Sequence, residues 1–310
     1  MALTRRQLLM IAAEATYGTS AAPVGTEALL VLDPGLTPLD GELLEREVID
    51  SAFGRTRARI VAMRKMGLEF GVELAHSGTL GTAPKYGPLI RACGFAETIS
   101  AGVSVTYAPT SVITDSVTAN HNWDGNRHLG TGARGTFEIA MASGAIPRMN
   151  FTMTGIYNAP TDVAFPTPTY TDQAAPLDVN SVNTATASVA SLAACMQEFN
   201  CSINNTVEFF DFAGCTKQVR ITDRQVEGSI TIQRPDLLAT KDFYDLAIAG
   251  TTGAINIVHG PAGNRITINL PTVNFGPPTP ADANGLAMLQ IPFVALHTAG
   301  TSNEISIAYT

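Results

Sequence analysis

The chain of 310 residues contains a repeat that extends over most of its length. Residues 67–74 (GLEFGVEL) and 225–233 (QVEGSITIQ) both alternate apolar side chains with polar or small ones. This period of two predicts strands with one buried and one solvent-exposed face. Each strand is followed by a helical pattern that ends on glycine, YGPLIRACG at 86–94 and FYDLAIAG at 243–250. A repeat of this size predicts a duplicated domain and not a solenoid.

The repeat continues with a pair of strand patterns in each half. Residues 136–142 (TFEIAMA) and 147–157 (PRMNFTMTGIY) are similar to 253–260 (GAINIVHG) and 264–275 (NRITINLPTVNF). Helix is scarce, so we expect a mainly β chain of two domains, each an antiparallel sheet with one flanking α-helix. The length agrees with two domains, each of which is large enough to bury a core of its own.

The stretches between these patterns predict the domain boundaries. Residues 1–40, rich in Ala, Gly, Pro and Thr, predict an extended N-terminal arm. The first domain covers residues 41–160 and includes an inserted stretch, 101–134, which predicts a long hairpin or extended loop. Pro160 and the three prolines that follow it, Pro166, Pro168 and Pro176, indicate an extended linker over residues 161–187, and the second domain then covers 188–310.

The composition favours a protein that associates with itself. Charged residues make up only 15% of the chain and hydrophobic residues 45%, so much of the surface must be neutral. The net charge of −8 argues against a nucleic-acid clamp, because neutralising phosphates requires clustered Lys and Arg. No stretch approaches the ~20 apolar residues that a membrane span needs.

The cysteines and the N-terminus indicate a reducing compartment. Cys93, Cys195, Cys201 and Cys215 lack the close CxxC spacing of zinc sites and do not form a disulfide framework. Residues 4–9 (TRRQLL) resemble a twin-arginine export signal. The apolar run after the arginines ends at Glu14, however, and is shorter than such a signal requires.

Two motifs that could bind a nucleotide or a metal are better explained as structural features. Residues 130–135 (GTGARG) match the GxGxxG dinucleotide motif, but a strand pattern follows where a helix is required. His121 and His128 lie close to Asp124 and could bind a metal, although Asp124-Gly125 favours a polar turn and no further ligand completes a shell. We therefore expect no catalytic residue, no cofactor and no metal, and hence no enzyme.

The segment Glu14-Ala15-Thr16-Tyr17-Gly18-Thr19, followed by Ala22-Pro23, resembles the opening of the major tail proteins, or tail tube proteins, of long-tailed, non-contractile bacteriophages. Residues 45–94 are also similar to this family, with two strands and a short helix that carries Tyr-Gly-Pro-Leu-Ile. The resemblance implies a β-sandwich or half-barrel flanked by a helix, whose rings stack into the conduit for DNA. Most members carry one such fold and form hexameric rings, whereas this chain carries two repeats.

The expected function is therefore structural. The resemblance implies a subunit of a phage tail tube, located in the virion tail and assembled in the host bacterial cytoplasm. Its implied partners are itself, the tape measure protein and other tail components, with DNA passing through the lumen without specific binding. One alternative is another phage component, such as a tail terminator, distal tail or decoration protein. A second alternative is an exported β-rich protein that binds a carbohydrate or a metal.

Two sets of residues are predicted to face neighbours or the lumen. Apolar residues in segments without an obvious core are expected to contact other subunits, namely Tyr17, Leu29, Leu30, Val105 and Trp123. The polar faces of the repeated strands are expected to line an acidic or neutral lumen, because carboxylates repel DNA where Lys and Arg would bind it. The residues concerned are Glu69, Glu73 and Glu227.

The repeat also predicts the number of chains in a ring. If the two halves have equivalent folds, one chain occupies two neighbouring positions. Three chains then form a pseudo-hexameric ring, in which each position offers the same two complementary surfaces.

Overall fold

The computed structural model describes residues 3–46 and 58–310, and the prediction of a mainly β chain is confirmed. The strands of the first half are β1 (Gln7–Ala13), β2 (Ala28–Leu29), β3 (Leu32–Leu44), β4 (Ile60–Glu73), β5 (Phe95–Ser100), β6 (Ser104–Pro109), β7 (Val117–Trp123), β8 (Asn126–Ala142), β9 (Arg148–Tyr157) and β10 (Thr161–Asp162). The strands of the second half are β11 (Thr186–Val189), β12 (Leu192–Ala193), β13 (Met196–Ser202), β14 (Asn205–Phe210), β15 (Gln218–Arg224), β16 (Glu227–Gln233), β17 (Thr252–His259), β18 (Ile266–Phe275), β19 (Thr279–Ala283), β20 (Leu286–Ala295) and β21 (Ser306–Tyr309).

Within the described ranges, the chain forms one α-helix in each half, α1 (Gly87–Ala92) and α2 (Phe243–Ala249). The Asp242 side chain accepts hydrogen bonds from the backbone N–H groups of Tyr244 and Asp245, which defines the start of α2. Both helices are followed by a glycine with positive φ, Gly94 at 86° and Gly250 at 61°. The local sequence therefore determines where each helix ends.

The same order of antiparallel pairings occurs twice along the chain. In the first half, β2 pairs with β1, β1 with β7, β7 with β8, β8 with β9, β9 with β4 and β4 with β3. In the second half, β12 pairs with β11, β11 with β17, β17 with β18, β18 with β20, β20 with β16 and β16 with β13. Strands that hold the same place in the two series are called counterparts below.

The pairings correct part of the repeat inferred from the sequence. The comparison of β4 with β16 and of α1 with α2 agrees with the topology. The comparison of residues 136–142 with 253–260 and of 147–157 with 264–275 is wrong, because the counterpart of β8 is β18 and that of β9 is β20. Alternation has the same period in every strand, so a pattern match can slip by one strand without any local sign.

Two strand pairings join the halves into one sheet, β8 with β13 and β6 with β21. The last residues of β8 pair with β13, from Glu138↔Ser202 to Ala142↔Glu198. The sheet therefore runs in the order β3, β4, β9, β8, β13, β16, β20 and then β18 with β19. The β8–β13 pairing is called the junction below.

One face of this sheet packs on the hydrophobic core. Phe70 stacks on Phe151 with ring centroids 5.7 Å apart, and Phe137 lies 5.5 Å from Phe151. Across the junction, Phe199 pairs with Met141 and stacks on Phe293 at 5.9 Å. All these side chains are buried, so both halves contribute to one continuous core.

Several segments differ from the sequence-based expectation. The first forty residues were expected to be an extended arm, but β1 lies between β2 and β7, and its Leu9 and Ile11 are buried in the core. The stretch 101–134 was expected to be a long hairpin or loop. The hairpin is present, because β7 and the start of β8 pair around the Asp124-Gly125 turn. It is not an insertion, however, because it is central to the sheet and β17 is the counterpart of β7. The linker segment 161–187 contains β10 and the start of β11, and the domain boundary within it stays a prediction.

The outer strands of the joined sheet have one unpaired edge each. Among the described residues, β3 pairs with β4 only and β19 pairs with β20 only. Both carry proline, at Pro34 and Pro38 in β3 and at Pro280 in β19. Because proline has no N–H to donate, these edges offer fewer hydrogen-bond donors than an ordinary strand does.

Candidate functional site

The face of the sheet opposite the core carries mostly polar side chains in both halves. Directly paired residues of antiparallel strands lie on the same face, so the register identifies every member of a row. The row that crosses both halves consists of Gly71, Asn150, Glu138, Ser202, Glu227, Val294 and Asn274. This surface is called the polar face below.

The three glutamates singled out in the sequence lie on the polar face. Glu227 belongs to the row just given, and Glu69 and Glu73 lie two residues on either side of Gly71 in β4. Alternation alone identified these residues, because Glu69 and Glu73 each lie between buried apolar neighbours and Glu227 follows the buried Val226. Their position in a lumen stays a prediction, whereas their common face follows from the register.

Two further glutamates of the polar face were missed. Glu138 precedes the buried Ile139, and Glu198 precedes the buried Phe199. The same alternation surrounds both residues and was the signal that could have identified them. With Glu138 and Glu198, acidic residues on this face span both sides of the junction.

The charge of the polar face is predominantly acidic. The basic residues on its paired rows are Lys65, which forms an ion pair with Asp40 at 3.4 Å, Arg148, which pairs in register with Glu73, and the buried Arg134, which pairs in register with Thr154. Neutral amides donate to the glutamates, from Asn200 to Glu198 at 2.9 Å and from Asn204 to Glu227 at 2.7 Å. A groove of ≈ 670 Å³ runs over Glu138 and Glu227. A polyanion that approached this face would be repelled.

The residues expected to contact other subunits divide into three groups. Leu29 and Val105 are buried in the core, so the premise that they are exposed is wrong. Leu30 and Trp123 are exposed, and their contacts with other subunits stay a prediction. Tyr17 is half-buried and contacts both halves of its own chain.

Glu14 and Tyr17, from the motif at residues 14–19, anchor the N-terminal segment. The Glu14 carboxylate accepts hydrogen bonds from the Gly132 N–H at 2.7 Å, Ser116 Oγ at 2.6 Å and Thr118 Oγ1 at 2.9 Å. The Tyr17 hydroxyl donates to the Gly132 carbonyl. A Cβ at Gly132, where φ is 59°, would lie 2.8 Å from the Tyr17 ring, so only glycine fits there.

Arg134 is a buried cation at the contact between the halves. Its guanidinium donates to the backbone carbonyls of Asp115 at 3.0 Å, Thr114 at 3.1 Å and Val219 at 3.0 Å. The guanidinium carbon lies 4.8 Å from the centre of the Tyr17 ring. Burial lowers the pKa of Arg134, but an arginine side chain remains protonated in proteins. Arg134 therefore holds a loop of the first half against β15 of the second.

The nucleotide-like motif and the histidine pair both have structural roles. Residues 130–135 lie inside β8, so no helix N-terminus is available for a phosphate. His121 and His128 are a cross-strand pair of the β7–β8 hairpin, whose turn is Asp124-Gly125 with positive φ at both residues. Within residues 3–46 and 58–310, no group of three or more His, Cys, Asp or Glu side chains is placed to hold a metal ion.

A family model described as phage tail tube protein matches residues 4–295 of the chain. The chain belongs to the phage tail tube protein family. It is therefore a structural component of a phage virion, and the family implies self-assembly into a tube together with other tail components. No match was found among the curated proteins. In the part of the chain that the structure describes, no helix has the length and apolar character to cross a membrane.

Acid should destabilise this tail tube protein through its buried histidines. Burial, together with the nearby His128, lowers the pKa of His121 to about 4 from an ordinary value of 6.5. The unfolded state therefore binds a proton that the folded state does not, and stability is lost as the pH falls below about 6.5. We expect His121 to contribute a loss on the order of 2 kcal/mol between pH 7 and pH 5.

Urea unfolding of the unassembled protein at pH 7 and pH 5 measures this effect. The variant His121→Gln should lose about 2 kcal/mol less between the two pH values than the native protein does. The control His297→Gln, at an exposed loop position, should keep the native difference. Equal pH dependence of native protein and His121→Gln would show that His121 does not remain neutral in the fold.

Proposed function

We propose that three copies of this chain form a closed ring, and that such rings stack into the tail tube. In this ring each half occupies one of six similar positions. We further propose that the protein has no catalytic activity, that it assembles in the host cytoplasm, and that the tape measure protein is one of its partners. The observation that carries the ring is the junction between β8 and β13.

The junction provides a template for the contact between chains. In the first half, β8 pairs along the whole of β9. In the second half, β18 and then β19 pair along β20 in the same way, so β19 is equivalent to the end of β8. The end of β8 pairs with β13, whose counterpart is β3. By the same rule, the unpaired edge of β19 meets the unpaired edge of β3 in the next copy. Repetition of one head-to-tail contact closes a ring.

The polar face supports a lumen-lining role for this sheet. The core covers the opposite face of the sheet. A ring built by continuing the sheet from copy to copy therefore places every polar face on the same side of the ring wall. We propose that this wall is the lumen, with Glu69, Glu73 and Glu227 joined there by Glu138 and Glu198. DNA can slide past carboxylates, whereas a basic wall would bind its phosphates.

Electron microscopy of the purified protein tests the proposal. We expect hollow tubes in negative stain, and a cryo-EM reconstruction with three chains per ring whose halves superpose on each other. Six chains in each ring, or a sheet that does not continue from β19 to β3, would contradict the ring. Protein that remains monomeric under all assembly conditions would contradict the tube itself.

A further inference from the structure

The second-half hairpin, formed by β14 and β15, packs on the first half of its own chain. The Asn205 side chain donates to the carbonyls of Cys93 at 2.7 Å and Gly135 at 2.9 Å. These acceptors lie at the C-terminal end of α1 and in β8. Val219 in β15 donates its N–H to the Tyr17 hydroxyl and accepts from Arg134. The hairpin thus covers the end of the first-half helix.

The first half has an extension at the corresponding place. β14 and β15 lie between β13 and β16 in the sequence. The counterparts of β13 and β16 are β3 and β4, and the ends of these two strands likewise extend beyond the joined sheet. This extension, residues 39–46 and 58–64, is called the first-half ribbon. It carries several exposed apolar side chains along its strands, whereas the second-half hairpin carries one, Phe212, in its turn. Those of the ribbon are Leu39, Leu43, Leu44 and Ile60.

One apolar cross-strand pair from each extension illustrates the difference in burial. In the second-half hairpin, Phe209 pairs with Val219, and the two side chains are 9% and 0% exposed. In the first-half ribbon, Leu44 pairs with Ile60, and they are 48% and 55% exposed. Exposure of such an apolar pair to water is unfavourable, and burial under another surface would remove this free-energy cost.

The surface that would cover the ribbon also has a counterpart. When the sequences of α1 and α2 are aligned on the glycines that follow them, Gly94 and Gly250, the fully buried Ala92 corresponds to Ile248, which is 86% exposed. Tyr244, one turn earlier on α2, is exposed as well. The C-terminal end of α1 is therefore buried, whereas that of α2 is exposed and carries apolar side chains.

We propose that the first-half ribbon of one copy docks over the C-terminal end of α2 in the neighbouring copy of the same ring. This inference rests on the proposed ring, and it repeats between chains the contact that the second-half hairpin makes within one chain. The occupant is a second copy because, among residues 3–46 and 58–310, both the ribbon and the end of α2 expose apolar side chains on the same chain. The prolines of the β3 and β19 edges reduce the number of main-chain hydrogen bonds that can form there, and side-chain contacts of this kind would add to them.

Cysteine cross-linking in assembled tubes tests the contact. The pair Leu44→Cys and Ile248→Cys is placed in a chain whose exposed native cysteines are replaced, Cys195→Ser and Cys215→Ser. Native Cys93 and Cys201 are buried, and burial raises the pKa of both thiols, so they remain unreactive. Tubes are first observed by microscopy, then oxidised and analysed on a denaturing gel.

We expect covalent dimers and trimers, with no species beyond the trimer. The control pair Leu44→Cys and Val182→Cys should give none, because exposed Val182 lies near the β17–β18 turn, at the far end of β17 from Gly250. Tubes that form without cross-links would overturn the docking but leave the ring intact. A ladder that continues past the trimer would place the ribbon on another ring and would also overturn it. Absence of tubes in the native protein would instead count against the proposed function.

A charged side chain introduced on the exposed face of α2 gives a second test of the docking. Ile248→Asp should reduce tube formation at least tenfold and leave the unfolding midpoint unchanged, because this side chain contacts little of its own subunit. Val182→Asp, at a similarly exposed residue, should assemble normally. Normal assembly of Ile248→Asp would contradict the docking.

Discussion

Tubes that carry Glu69→Lys and Glu138→Lys should retain DNA that the native tubes release. Both residues are exposed on the polar face, so the substitutions should leave folding and ring contacts unchanged. In stacked rings the added lysines recur along the whole lumen, and each phosphate contact releases counterions. We expect native tubes assembled with short duplex DNA to protect none of it from nuclease. The variant should protect a fraction that falls by about tenfold or more when the salt rises from about 50 to 200 mM.

The matched control separates the lumen from the outer surface. Glu208→Lys and Asp223→Lys make the same change of charge on exposed residues of β14 and β15, outside the polar face. Tubes of this variant should bind DNA that nuclease digests completely. If DNA on the Glu69→Lys and Glu138→Lys tubes is digested as readily, the polar face does not line the lumen.

Replacement of Arg134 by Met should destabilise the subunit by about 3–5 kcal/mol. Three backbone carbonyls from two halves of the chain lose their donor, and buried acceptors without partners are costly. The cation–π contact with Tyr17 is lost as well. Urea unfolding of the unassembled protein measures the change. Arg134→Lys should recover only part of it, because an ammonium group cannot reproduce the planar fork of donors.

Two controls define the role of the charge and of the tyrosine. Arg127→Met, in the same strand but with its side chain near the surface, should change stability by less than about 1 kcal/mol. Tyr17→Phe keeps the ring and removes the hydroxyl that Val219 donates to, and should cost about 1 kcal/mol. A change of less than about 1 kcal/mol in Arg134→Met would show that solvent replaces the lost donor.

The strand periods and helix ends could be predicted from the sequence, because they depend on local chemistry. Glu69 and Glu227 were assigned to a solvent-exposed face from their buried neighbours alone, and the register places them on one face. The glycines after α1 and α2 were identified as helix ends. Each of these signals is contained within about ten residues of sequence.

The long-range pairings could not be predicted in the same way. The junction joins β8 to a strand some sixty residues later, and nothing in the alternation of Glu138 or Glu198 specifies the partner. Leu29 and Val105 illustrate the related difficulty that an apolar residue of a core strand and one of an interface look alike in sequence. Arg134 was missed because its partners are carbonyls, which every residue carries.

The prolines at the two free edges have a consequence for the kinetics of assembly. Two isolated subunits that meet edge to edge gain few hydrogen bonds from Pro34, Pro38 and Pro280, so a first encounter is short-lived. A subunit that joins an existing ring stack meets several surfaces at once, and each contact raises the effective concentration of the next. Polymerisation should therefore show a lag that preformed seeds abolish. A chain with this property remains dispersed at high concentration until an initiating surface is present, and its growth begins where that surface lies.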